Sequence, residues 1–125
     1  MTPSTSGTST STWTNVRVKN KHTIVRFEAP SIGPREAAVM ATEVSRAITD
    51  ATKGKCLVID LSRTNSLSSM GLGLCVDIRN RAVDAGLRPI LTGMNVQLAE
   101  LFRMMRVERL FTVASSAAEL ERYLL

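Results

Sequence analysis

Residues Cys56–Gly73 read C-L-V-I-D-L-S-R-T-N-S-L-S-S-M-G-L-G. The apolar run Leu57–Ile59 ends in Asp60. It is too short for a helix of its own, and its lack of alternation suggests an interior strand covered on both faces. A polar loop follows, Ser62 to Ser66. Leu67, the pair Ser68-Ser69, Met70 and then Gly71-Leu72-Gly73 open an amphipathic segment in which Leu74, Cys75, Ile78, Ala82 and Ala85 share one helical stripe. A buried strand, a loop and a helix start thus follow one another, and Ser68 or Ser69 suits the helix N-cap. Gly86 ends the helix that begins near Gly71.

Working outward, Val16 and Val18 alternate with Arg17 and Lys19, and Thr23, Val25 and Phe27 alternate with Ile24 and Arg26. Asn20-Lys21 between them reads as a turn. The pattern predicts a hairpin over Asn15–Lys19 and His22–Glu28, with His22 a solvated residue at the turn. Pro34 or Arg35 starts a helix to about Thr52, with Ala37, Met40, Val44, Ala47, Ile48 and Ala51 on its inner stripe. Leu87–Thr92 is a further strand, and Pro89 places it near a strand start or an edge. Gly93 and Asn95 open a short helix carrying Leu98, Leu101, Phe102 and Met105. Val107, Leu110, Phe111 and Val113 read as a last extended segment. Ser116 and Glu119 have the spacing of a capping box and start a terminal helix with Ala117, Leu120 and Leu124 inward.

The fold class is therefore α/β, a single domain of order β-β-α-β-α-β-α-β-α, with a mixed, mostly parallel sheet and helices packed on it. Residues 1–13 form a Ser/Thr-rich tail expected to be disordered, since it buries too little to offset its ordering entropy; residues 14–125 form the domain. The 125-residue chain carries a formal charge of +5 with scattered basic residues. That excess favours acidic partners, and without a groove-reading motif it does not point to direct nucleic-acid binding. Cys56 and Cys75 lie in apolar contexts outside metal-ligand or C-x-x-C spacing, which reads as two buried free thiols. No secretory leader is visible and no apolar run spans a membrane, so a cytoplasmic protein that does not bind membranes is expected.

The segment around Ser68–Gly73 resembles the signature of STAS domains, the family of bacterial anti-sigma factor antagonists. The resemblance extends from Val16 to Leu125. Gly86–Leu91 is similar to the family's G-x-x-L-x-L strand, Leu101–Phe111 to its late helix and bend, and Ser115–Leu120 to its last connection. In the family the loop typically reads D-S-S-G-L-G or D-S-T-G-L-G, and the residue before the first glycine is the Ser or Thr that a partner kinase phosphorylates. Here Met70 holds that position, and Ser68 stands where the family usually has Asp.

The resemblance implies a protein-interaction module that binds an anti-sigma factor of the serine-kinase type and thereby regulates sigma-factor-dependent transcription. Asp60, Ser68, Ser69, Met70, Gly71, Leu72 and Gly73 would form its partner-binding loop. A phosphate at a helix start is locally well accommodated, yet adds about −1.5 to −2 charges that would disturb an interface built on a neutral hydroxyl. Methionine accepts no phosphate. Either the kinase uses Ser69, the phosphorylation candidate, or the protein is not switched there.

Two further readings stand beside this one. The first is a non-phosphorylated STAS scaffold or accessory domain of a signalling or transport complex, with other STAS proteins as partners. The second is a nucleotide-binding α/β domain using the strand-end cleft near Asp60. No cofactor or metal is implied. Asp60 lacks a partner acid, nucleophile–base pair or metal cluster, so no catalytic residue and no enzyme are expected.

Overall fold

The computed structural model describes residues 9–10 and 13–125. A six-stranded sheet runs in the order β1 (Ser9–Thr10), β2 (Thr14–Lys19), β3 (His22–Phe27), β5 (Cys56–Asp60), β7 (Arg88–Thr92), β8 (Thr112–Ala114). β4 (Ser31–Ile32) and β6 (Ser66–Leu67) form a separate parallel pair. The helices are α1 (Pro34–Asp50), α2 (Ser69–Asp84), α3 (Val96–Met104) and α4 (Ala117–Tyr123), and Glu108–Leu110 form a 3₁₀ turn.

β1–β2 and β2–β3 are antiparallel; β3, β5, β7 and β8 are parallel. The turn between β2 and β3 is made by Asn20 and Lys21, at φ 52° and 70°, the left-handed pair that a two-residue hairpin demands. The expected five strands and four helices are all present. β1 adds a short strand within the tail, and Trp13, assigned to the tail, packs against the core; residues 1–8, 11 and 12 lie outside the described residues.

The two faces of the sheet are covered unequally. On one, Val25, Phe27, Leu57, Ile59 and Leu91 pack against Met40 and Val44 of α1, Leu74, Cys75 and Ile78 of α2, and Leu98 and Phe102 of α3. On the other, Ile24, Cys56, Val58, Ile90 and Ala114 meet Leu124, with Leu120 and Tyr123 of α4 at the border. Parallel strands buried on both faces require the unbroken apolar run seen in β5.

Four local expectations are corrected or refined. His22 is buried at 5% exposure; it begins β3, and its Nδ1 accepts the Cys56 N–H at 2.9 Å. Residues 107–113 are not continuously extended, because the 3₁₀ turn precedes β8. α2 begins at Ser69, so Gly71 and Gly73 lie inside the helix. Pro89 sits in an interior strand, second residue of β7. Arg88 N–H donates to Lys55 O on the β5 side, so Pro89 nitrogen faces β8, whose pairing starts only at Ile90. The missing donor falls where no acceptor waits.

Candidate partner-binding site

The loop from Asp60 to Ser69 is tied to the end of β3 and to β4 by hydrogen bonds. Asp60 Oδ1 accepts from Ser62 N–H at 2.9 Å. Thr64 Oγ1 donates to Ala29 O at 3.0 Å, and Asn65 N–H to Pro30 O at 2.7 Å. β6 then pairs with β4, which carries the chain to the helix start.

Ser68 is the N-cap. Its hydroxyl donates to Ile32 O at 2.8 Å and accepts from Gly71 N–H at 3.1 Å. Ser68 N–H also reaches Ile32 O, at 3.1 Å. The hydroxyl is therefore committed to the fold. Ser69 is exposed, and its hydroxyl has no hydrogen-bond partner among the described residues. Met70 is 55% exposed. The first turn of α2 carries no acidic residue, so the positive end of the helix dipole is uncompensated by its own side chains.

The two glycines differ. A Cβ on Gly71 would lie 2.9 Å from Ile32 O, so a side chain there would collide with β4; on Gly73 it would meet none of the described residues within 4 Å. Gly71 and Leu72 are buried and brace the loop, whereas Ser68, Ser69, Met70 and Gly73 face outward. Asp60, the last residue of β5, is half-buried. A Cβ on Gly93, whose φ is +79°, would fall 2.7 Å from Asp60 Oδ1 and from Ser62 N; close-packed backbone thus occupies the space beside the carboxylate.

Sequence reasoning missed Val96, 80% exposed in the first turn of α3. Asn95 caps that helix through Oδ1 (2.7 Å to Leu98 N–H), while its Nδ2 donates to Asn65 O at 3.3 Å. Val96 is thereby presented beside the loop that leads into β6. The available signal was an apolar residue off the buried stripe of Leu98 and Phe102.

Of the cysteines, both are free and buried. Burial pushes the Cys75 thiol up to about 12. Burial also raises Cys56, against the opposing pull of Arg88 and Lys55. Among the described residues no group of three His, Cys, Asp or Glu side chains is placed to hold a metal ion, and no helix is long and apolar enough to cross a membrane.

A hairpin leading into a parallel sheet, with a capped helix start presented beside a braced loop, defines a small α/β domain. A family model for the STAS domain matches residues 14–120, and the chain belongs to that family. Its fold is similar to an anti-sigma-factor antagonist (STAS) domain protein from Planctomyces limnophilus, at TM-score 0.79 and 16% identity, covering 90% of this chain and 97% of that one. It is also similar to an anti-sigma factor antagonist from Mycobacterium paratuberculosis, at TM-score 0.74 and 16% identity, covering 88% and 92%. The phosphorylated form of the Bacillus cell fate determinant SpoIIAA aligns at TM-score 0.64 and 14% identity, covering 87% and 97%. No curated protein sequence matches at a significant level.

Proposed function

We propose that this STAS domain is a non-enzymatic antagonist that docks the exposed start of α2 onto an anti-sigma factor of the serine-kinase type, freeing a sigma factor without a phosphate cycle at Met70. Gly73 carries the reading. Glycine in a helix interior costs about 1 kcal/mol relative to alanine, and among the described residues no packing needs its smallness, since a Cβ there meets none of them within 4 Å. Its use is to let an outside surface approach. Met70, near it on the first turn of α2, supplies an adaptable apolar contact, and the exposed Val96, presented beside the loop at Asn65, offers a second.

The free hydroxyl of Ser69 supports a second reading, in which the switch has moved one residue upstream. Calorimetric titration against the cognate kinase, with and without ATP, separates the two. In the unswitched reading the wild type binds and stays unmodified. Gly73→Ala folds at least as stably and binds about tenfold or more weakly, the loss typical of an interface hot spot. Met70→Ser accepts phosphate and then releases the kinase. Phosphate on Ser69 of the wild type, with release, would establish the relocated switch. Unchanged binding by Gly73→Ala would remove the proposed docking surface.

A further inference from the structure

We propose that the corner between α3 and β8 is a second protein-docking surface, built for an acidic segment with apolar anchor residues. The corner lies at the opposite pole from the α2 start. β3, β5, β7 and β8 are parallel, so the connections that enter them gather at one end of the sheet, and the Asp60–Ser69 loop leaves from the other.

The sequence here is Arg103-Met104-Met105-Arg106, followed by Arg109. Met104 is 76% and Met105 56% exposed. Arg103, Arg106 and Arg109 are exposed too. Arg103 approaches Glu100 only at 3.9 Å; among the described residues Arg106 and Arg109 have no ion-pair partner. Arg79 Nε on α2 donates to Leu110 O at 3.1 Å, which holds the 3₁₀ turn in place.

Arg106 adds an independent observation. α3 closes with Val107 N–H on Phe102 O and Arg106 N–H on Arg103 O, both at 3.0 Å. This ending requires a left-handed residue, a place normally given to glycine, and Arg106 takes it at φ 58°. Local stability alone favours glycine there. The arginine keeps a guanidinium on the corner at a conformational cost.

The charge of the pole names the partner's chemistry. The other connections into the same end bring Lys21, Lys53, Lys55 and Arg88 against Asp50 and Asp84, Lys19 beside the β2–β3 turn is paired with Glu121 of α4 at 2.6 Å, and the corner's own acid is Glu108. This positive excess attracts and orients an acidic partner. Arginine and methionine together are the composition of protein interfaces, and guanidinium forks match carboxylates. A membrane fits less well, because α3 turns its large apolar residues Leu98 and Phe102 inward, and at this end the exposed large apolar side chains of α3 and its cap are the methionine pair, with Val96 at the opposite end of the helix.

The test uses the full chain and a fluorescent amphipathic helical peptide with glutamates flanking a leucine stripe, read by anisotropy. The same peptide with Gln for Glu, and vesicles of phosphatidylserine and phosphatidylcholine, serve as comparisons. Wild type should bind the acidic peptide and lose the Gln form. Arg106→Gly should weaken binding about tenfold while its melting temperature holds or rises. Met104→Ser should weaken binding as well. Arg35→Ser removes the same charge from the start of α1, near the other pole, and should change binding by less than about twofold. Equal losses for Arg106→Gly and Arg35→Ser would reduce the effect to net charge and overturn the proposal. So would vesicle binding without peptide binding, or Arg106→Gly binding like wild type. Gly73→Ala should leave peptide binding unchanged, which separates failure of this surface from failure of the α2 surface.

Discussion

The Ser68 hydroxyl joins two elements, capping α2 while holding β4 through Ile32 O. Ser68→Ala removes both bonds, and loss of an N-cap alone costs about 1 kcal/mol; urea denaturation should show at least that loss. Ser69→Ala touches neither bond and should unfold with the wild type. Cys75 offers a pH test. Its thiol is pushed up to about 12 in the folded protein, whereas the unfolded thiol titrates near 8.5. The unfolded state therefore releases its proton first. The contribution is complete below the unfolded value and is lost as pH rises from there toward the folded one, by up to about 1.4 kcal/mol per pH unit. Stability curves from pH 8 to about 11 should fall more steeply for wild type than for Cys75→Ala, whatever the offset that the cavity introduces. His22 shows why some residues were misread. Beside a turn it looked solvated, and only the pairing of β3 with β5 brings its Nδ1 to a backbone N–H 34 residues away.

Among the elements, those with a strong period or a local cap were legible. β5 followed from its apolar run, α1 from its stripe, and α3 from Asn95. β4 and β6 were not. Each has only two residues, too few for a period, and each exists because the other lies beside it. The proposed docking surface was legible in part: the serines and Met70 could be placed at a helix start, but which glycine was braced and which was open depended on where β4 packed. α4 is the least anchored of the helices, with no buried residue within its span. It has seven residues, and Leu124, just past its end, is the buried anchor at 1% exposure. Cys56 Sγ lies 3.8 Å from Tyr123 O beneath it. Leu124→Ala should cost about 2–5 kcal/mol, and native-state labelling with a thiol reagent should then reach Cys56 well before Cys75. Equal labelling of both would mean that α4 leaves only on global unfolding.

For the whole molecule, the +5 charge acts through the field it makes. Association with an acidic partner should slow as salt rises from 0.05 to 0.5 M, with a much smaller change in the dissociation rate, because screening acts mainly on encounter; stopped-flow mixing measures both. A salt-independent association rate would show that the excess charge steers nothing. The unequal faces of the sheet also govern the time course of folding. Apart from the antiparallel pairings at its first edge, every pairing in the sheet spans an intervening helix or turn, so β5 cannot join β3 until the chain through α1 has closed. Substitutions in the α1 stripe, such as Val44→Ala, therefore bear on the rate of folding. Substitutions under α4, the last element of the chain, are expected to act mainly on how long the folded molecule survives before it opens, and stopped-flow folding and unfolding of Leu124→Ala beside Val44→Ala measures both rates.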